Sequence, residues 1–180
     1  MTRRAVFLDR DGTLNLRPAE HRYVETLDGF VWLPGAVEAA AALARAGFVL
    51  AVTSNQRGIA RGLVSWNTIA AIEQEIQARL GEHGAQIAAF RYCPHDLDDG
   101  CDCRKPAPGM LLELAEQLDL DPARSWMVGD SESDVAAGRA AGCATALIAP
   151  AAEGSPADLV APSLRAAAAA ILEREPLSRP

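Results

Sequence analysis

Short apolar runs of strand length alternate with helix-length segments along this chain, and that alternation constrains the fold most. The order begins with a strand from Arg4 to Asp9, a polar stretch holding His21 and Tyr23, a helix opened by Pro34 that runs over alanines and leucines to Gly47, and a strand from Phe48 to Ser54. A helix over about Ser65 to Leu80 follows, with Ser65 as its cap, then a strand from Ile87 to Cys93 and a helix opened by Pro108 that ends near Asp119. Strand Ser125 to Asp130, helix Glu132 to Ala141, strand Cys143 to Ile148, a short strand near Leu159 and helix Leu164 to Arg174 complete the series. Repeated strand-helix units predict an α/β fold, a doubly wound and mostly parallel sheet with helices on both faces. The 180 residues, 49% of them hydrophobic, suit a single domain over 1–180 with a sizeable core. There is no internal repeat, and the Ala-rich C-terminal stretch reads as a plain surface helix.

In a parallel sheet the strand ends converge on one edge, so the residues that follow each strand are the candidate site. The first strand exits into Asp9-Arg10-Asp11-Gly12-Thr13. Alternate residues of an extended chain point the same way, which lets Asp9 and Asp11 face one space, while Gly12 allows a sharp turn. Two carboxylates at the C-terminal end of a strand stand where ligands bind in α/β folds, and they offer a nucleophile beside a proton donor. The plainer reading of Asp-x-Asp-Gly is a polar turn. The second strand ends in Thr53-Ser54-Asn55-Gln56, whose hydroxyl and amides suit phosphate oxygens. The strand Trp126-Met127-Val128-Gly129-Asp130 ends in another carboxylate, followed by Ser131, Glu132, Ser133 and Asp134. Asp130 with Asp9 would form an oxygen site of the kind Mg²⁺ takes, with few carboxylates, several waters and a substrate phosphate. Alternatively, Asp130 and Asp134 merely open a helix and complement its dipole.

Lys105 is the only lysine, the other basic residues being arginine, and it lies beside a polar loop. A compact ammonium fits between an aspartate and a phosphoryl group where a guanidinium brings different geometry. Neighbouring Arg104 suits bidentate capture of a second anionic group. Just before this pair, Cys93-x-His95-x5-Cys101-x-Cys103 places three thiols and an imidazole within eleven residues, a set that matches closed tetrahedral zinc in a loop of about 93–103. A closed site leaves no open position for water, so the zinc would be structural and would fix the loop that delivers Arg104 and Lys105. Free thiols with a surface histidine are the alternative, and thiols this close would oxidise. Cys143 reads as a small core residue.

A net charge of −7 argues against a nucleic-acid or anionic-membrane surface, so an anionic substrate needs local positive charge. The run after Arg3-Arg4 is too short for a signal peptide and no apolar run approaches a membrane span, which predicts a cytoplasmic protein. Without a long apolar heptad the expectation is a monomer.

Taken in order, Asp9-x-Asp11-Gly12-Thr13, Ser54-Asn55-Gln56, Arg104-Lys105-Pro106 and Gly129-Asp130-x3-Asp134 resemble the four motifs of the haloacid dehalogenase superfamily of phosphatases, across the whole chain. Cys93-Pro94-His95 with Cys101-x-Cys103 resembles the zinc-containing branch, whose members act on heptose 1,7-bisphosphate or on histidinol phosphate. His21-x-Tyr23-Val24, Asn55-Gln56-x-Gly58-Ile59-Ala60-Arg61-Gly62 and Pro108-Gly109-Met110-Leu111 look more like the heptose side of that branch. Ser131 stands where those enzymes usually carry lysine, Arg57 replaces a small residue, the segment between Asn15 and His21 is a few residues long, and the zinc loop is short.

The resemblance implies a Rossmann-like haloacid dehalogenase fold with short loop insertions and no large cap domain. It implies a hydrolase that removes the 7-phosphate of D-glycero-D-manno-heptose 1,7-bisphosphate through an aspartyl phosphate, in carbohydrate metabolism that supplies lipopolysaccharide or other glycans. Asp9 would be the nucleophile and Asp11 the general acid and base, with Ser54 and Lys105 gripping the phosphoryl group. Mg²⁺ would sit on Asp9, Asp130 and the backbone carbonyl of Asp11, and zinc on Cys93, His95, Cys101 and Cys103. Glu20, His21, Arg22, Tyr23, Asn55, Gln56, Arg57, Arg104 and Ser131 would recognise the rest of a small phosphorylated metabolite. Histidinol phosphate is the alternative substrate, and a non-catalytic zinc-stabilised binding module the alternative class.

Overall fold

The computed structural model describes residues 2–151 and 154–174. Strand β1 (Ala5–Leu8) shows why the sheet forms: all four residues are buried, because both faces are covered, and its alternate side chains join two separate cores. Val6 and Leu8 point toward helices α1 (Ala36–Arg45), α2 (Trp66–Gly81) and α5 (Leu164–Arg174), while Ala5 and Phe7 point toward α3 (Gly109–Gln117) and α4 (Glu132–Ala141). The remaining strands are β2 (Val49–Asn55), β3 (Ala89–Cys93), β4 (Trp126–Gly129), β5 (Ala144–Ile148) and β6 (Leu159–Ala161). Among the described residues they make one sheet in the order β3-β2-β1-β4-β5-β6, with every pairing parallel.

That order reverses at β1, whose neighbours are β2 on one side and β4 on the other, and crevices form at such a switch point beyond the carboxyl ends of the strands. The register aligns the exits: Leu8 lies opposite both Val52 and Val128, so Asp9 leaves the sheet beside Thr53 and Gly129. Helix α4 approaches closely because Gly138 has no side chain; a Cβ there would stand 2.6 Å from Met127 Cβ.

The expected elements all appear with small differences at their ends. Gly35, in the left-handed region at φ 76°, caps α1, so this helix begins at Ala36 instead of Pro34. Pro108 is the cap of α3, one residue before the position expected of it. Ser65 caps α2 as expected, accepting from Thr68 N at 3.0 Å. The C-terminal helix α5 is more than a surface helix, since Leu164, Ala167, Ala168 and Ile171 are buried in the core. Cys143 is buried just before β5, and burial pushes its thiol up to about 12, consistent with an inert core residue. Residues 10–33 form an excursion from the sheet. Hydrogen bonds Leu16 N to Val31 O at 2.8 Å and Leu33 N to Leu14 O at 2.9 Å close its neck, which holds the turn 17–23 over the strand ends.

Candidate active site

Lys105 Nζ is the hub of the strand-end cluster. It donates to Asp9 Oδ1 at 2.7 Å and to the Thr53 carbonyl at 2.8 Å, and it pairs with Asp134 Oδ1 at 2.6 Å, with only 3% of the residue exposed. Burial works against its charge, yet the attraction of Asp9 and Asp134 is larger and raises its pKa. Asn55 fixes the backbone of the same residue, donating to Lys105 O at 3.0 Å and accepting from Lys105 N at 3.1 Å. The end of β2 and the loop before α3 are thereby joined at the point where the ammonium enters.

Asp9 is 7% exposed, and burial pushes its carboxyl up to about 7, opposed by the Lys105 ammonium. Asp130 is likewise raised to about 6 by burial, with the Arg17 guanidinium pulling it down. Arg17 Nε lies 3.3 Å from Asp130 Oδ2, while Asp130 Oδ1 is buried without a hydrogen-bond partner among the described residues. Carboxylate oxygens of Asp9, Asp130 and Asp134 lie within 4.8 Å of one another. An orphaned buried oxygen beside a second acid is what a hard cation satisfies, so these residues fit Mg²⁺. Asp134 is the most committed of the three, because it also accepts from Ser131 N at 3.1 Å and Ser131 Oγ at 2.6 Å as the capping box of α4. Asp134 thus opens α4 and also stands in the cluster around Lys105. Gly12, at φ 93°, makes the approach possible, since a Cβ there would stand 1.7 Å from Asp130 Oδ2.

Asp11 lines the same cavity as Asp9, but its carboxylate is occupied. Arg10 reaches it with Nε at 3.1 Å and Nη2 at 2.9 and 3.0 Å, Asn15 Nδ2 donates at 2.9 Å, and Gln56 Nε2 donates at 2.8 Å. The Gln56 amide also donates to Ser54 Oγ at 3.0 Å.

A cavity of about 480 Å³ brings the expected residues together. Asp9, Asp11, Ser54 and Lys105 line it, with Glu20, His21, Arg22 and Tyr23 from the excursion, Asn55, Gln56 and Arg57 after β2, Arg104, and Ser131. Asp130 is not among the lining residues and lies against Gly12 instead. Sequence reasoning missed Arg10 and Asn15, the partners of Asp11, and the lining residues Arg17, Pro18, Ala19 and Ser133; Asp134, singled out only within a motif, also lines the cavity. Arg10 follows the end of β1 at Leu8, where strand alternation no longer says which way a side chain turns. Arg57 is ion-paired to Asp96, and Arg61 Nη1 donates to Tyr23 Oη at 3.4 Å.

The Cys/His loop abuts this cavity. Cys93 Sγ lies 3.6 Å from Cys101 Sγ and 3.6 Å from His95 Nδ1, and His95 Nδ1 lies 3.2 Å from Cys103 Sγ. Two thiolates about 2.3 Å from a tetrahedral zinc would stand about 3.8 Å apart, so the four side chains fit that ion and no disulfide links them. The loop is tied to the site by Gln56 N to Cys93 O at 2.8 Å and by Arg104 Nη1 to His95 O at 3.4 Å.

The HAD-hydrolase-like family profile matches residues 102–170, which include Lys105, Asp130 and Asp134. Over 148 residues the chain is 42% identical to a D-glycero-β-D-manno-heptose-1,7-bisphosphate 7-phosphatase of Pseudomonas aeruginosa, covering 82% of each chain. It is 40% identical to the corresponding protein of Vibrio cholerae over 155 residues, again covering 82% of each. The chain belongs to this family of HAD-like phosphatases. A crystal structure of the family's D,D-heptose 1,7-bisphosphate phosphatase from B. bronchiseptica, complexed with magnesium and phosphate, superimposes with a TM-score of 0.84 at 35% identity, covering 95% of this chain and 99% of that one. A second, from Burkholderia thailandensis, gives a TM-score of 0.70 at 32% identity over 94% of this chain and 98% of that one. HAD phosphatases use Mg²⁺. Among the described residues no helix is long and apolar enough to cross a membrane.

Proposed function

We propose that the protein is a Mg²⁺-dependent phosphatase that removes the 7-phosphate of D-glycero-D-manno-heptose 1,7-bisphosphate, as a single cytoplasmic domain acting on a small sugar without nucleic-acid or membrane partners. The observation that carries this reading is the meeting of Asp9, Ser54, Lys105 and Arg104 in one cavity, with Arg22 also on its wall. Arg57 is paired with Asp96 and Arg17 with Asp130, whereas Arg104 gives one donor to a carbonyl at 3.4 Å, leaving the rest of its fork for a second phosphate.

Asp9 attacks phosphorus and forms an aspartyl phosphate, while Asp11 gives a proton to the departing sugar oxygen and later takes one from the attacking water. Ser54 and Lys105 hold the phosphoryl oxygens. Bound on Asp9, Asp130 and the Asp11 carbonyl, Mg²⁺ supplies positive charge against the transferring group. Zinc on Cys93, His95, Cys101 and Cys103 has a structural part, fixing the loop from which Arg104 and Lys105 project. Glu20, His21, Arg22 and Tyr23 meet the sugar from the excursion, with Asn55, Arg57 and Ser131.

The test is phosphate release from heptose bisphosphate and from histidinol phosphate, each with Mg²⁺. A higher kcat/KM for the bisphosphate, with loss of the C7 phosphate alone, is expected; preference for histidinol phosphate would replace the substrate but leave the chemistry.

A further inference from the structure

Arg10 is the largest of the fully buried side chains, with 0% exposure. A guanidinium kept from water needs a counter-charge, and among the described residues the only carboxylate paired with it is that of Asp11. Its Nη1 is buried with no hydrogen-bond partner, so a general polar network does not place this side chain; the two-nitrogen contact with Asp11 does. Asn15 adds a donor to Asp11 Oδ1 and uses its second donor on Leu16 O at 2.9 Å. Backbone bonds Gly12 N to Asn15 O at 2.7 Å and Leu14 N to Arg10 O at 2.8 Å close the same turn. Neither Arg10 nor Asn15 lines the cavity, so neither is placed to touch substrate.

We infer that Arg10 and Asn15 are positioning residues for Asp11: they hold its carboxylate from behind, over the turn 10–15, at the side of the cavity where the leaving oxygen of a phosphate ester must receive its proton. The inference rests on the reading of Asp11 as general acid and adds to it the residues that aim it. A fork that binds two oxygens in one plane fixes both direction and rotation of the carboxylate, which a lysine in its place could not do.

The consequence appears in the choice of leaving group. An alkyl oxygen needs a proton as it departs, whereas 4-nitrophenolate departs without one, and kcat/KM reports only the steps through formation of the aspartyl phosphate. Arg10→Lys should lower kcat/KM for heptose bisphosphate about 10²-fold or more, within the range of a lost general acid, and lower it for 4-nitrophenyl phosphate less than about fivefold. Asn15→Leu, which keeps the branched shape of the side chain and removes its donors, should show the same split at smaller size, and it covers the case in which Arg10→Lys does not fold. Asp11→Asn is measured alongside. If Asp11→Asn reduces both substrates in equal proportion, the general-acid reading fails and takes this inference with it. If Asp11→Asn shows the split while folded Asn15→Leu and Arg10→Lys reduce both substrates in equal proportion, the positioning role alone is overturned.

Discussion

Replacing Lys105 with methionine should expose how the site is held together before any substrate arrives. The side chain is buried and its ammonium lies 2.7 Å from Asp9 and 2.6 Å from Asp134. Methionine keeps the unbranched stem but leaves two carboxylates facing each other without a counter-charge, and breaking a buried pair in this way costs about 3–5 kcal/mol. For a chain of this size each kcal/mol moves Tm by about 2–4 °C, so the variant should melt about 6–20 °C lower at pH 7.5. The deficit should depend on pH. Asp9 titrates near 7 even with Lys105 in place, because burial outweighs the ammonium, and losing Lys105 raises it further. An acid whose folded pKa lies above its unfolded value favours the folded state when protonated, and that advantage is lost as pH rises from the unfolded pKa through the folded one. The variant should therefore recover stability relative to wild type as the pH is lowered from 7.5 to 5. Thermal unfolding by circular dichroism across that range, without divalent metal, gives the answer. A Tm within 2 °C of wild type at pH 7.5, or a deficit that does not change with pH, would refute the claim that charge pairing at Lys105 holds the strand ends together.

Other outcomes follow from the same geometry. Mg²⁺ must displace protons from Asp9 and Asp130, raised to about 7 and about 6, so its apparent affinity should rise with pH through this window; calorimetry at pH 6 in two buffers should show buffer-dependent heat, and identical heats would count against these ligands. Cys101→Ser should lower zinc content and activity together, although no thiol reaches the phosphoryl group; wild-type protein that carries no stoichiometric zinc by elemental analysis would end that assignment. Arg104→Ala should cut kcat/KM for the bisphosphate by about 10–150-fold, the worth of one charge-assisted contact, and spare a simple sugar monophosphate; equal losses on both would contradict its distal-phosphate role.

Most of the architecture was legible because periodicity is a local property. The limits of α4 and α5 match the expected ones, and Ser65 announced its cap through its own hydroxyl. Clustering at the strand ends was legible too, since a parallel sheet must bring Asp9, Ser54 and Asp130 to one edge. What stayed hidden were partnerships across the turn and the excursion. Arg10 lies past the end of β1 at Leu8, where no periodicity says which way its side chain turns, and its contact with Asp11 shows only in the fold. Arg17 sits in a stretch without periodicity, and its contact with Asp130, more than a hundred residues away, depends on the neck that Leu16 and Val31 close. Asp134 carried two meanings that a helix-start motif cannot separate, because the helix cap and the lysine partner are the same carboxylate.

The solitary lysine also shapes how the folded chain meets chemistry from outside. Every other basic side chain is an arginine, and Lys105 is enclosed with its nitrogen held by two acids and a carbonyl. Amine-directed reagents, acyl donors and lysine-targeted cross-linkers thus meet a surface on which no described residue offers an ammonium. Lys105 lines the substrate cavity, so a reagent reaches it only through the substrate's own entrance and against the two acids that hold its nitrogen, and acylation there would report a disturbed phosphate cradle rather than surface reactivity.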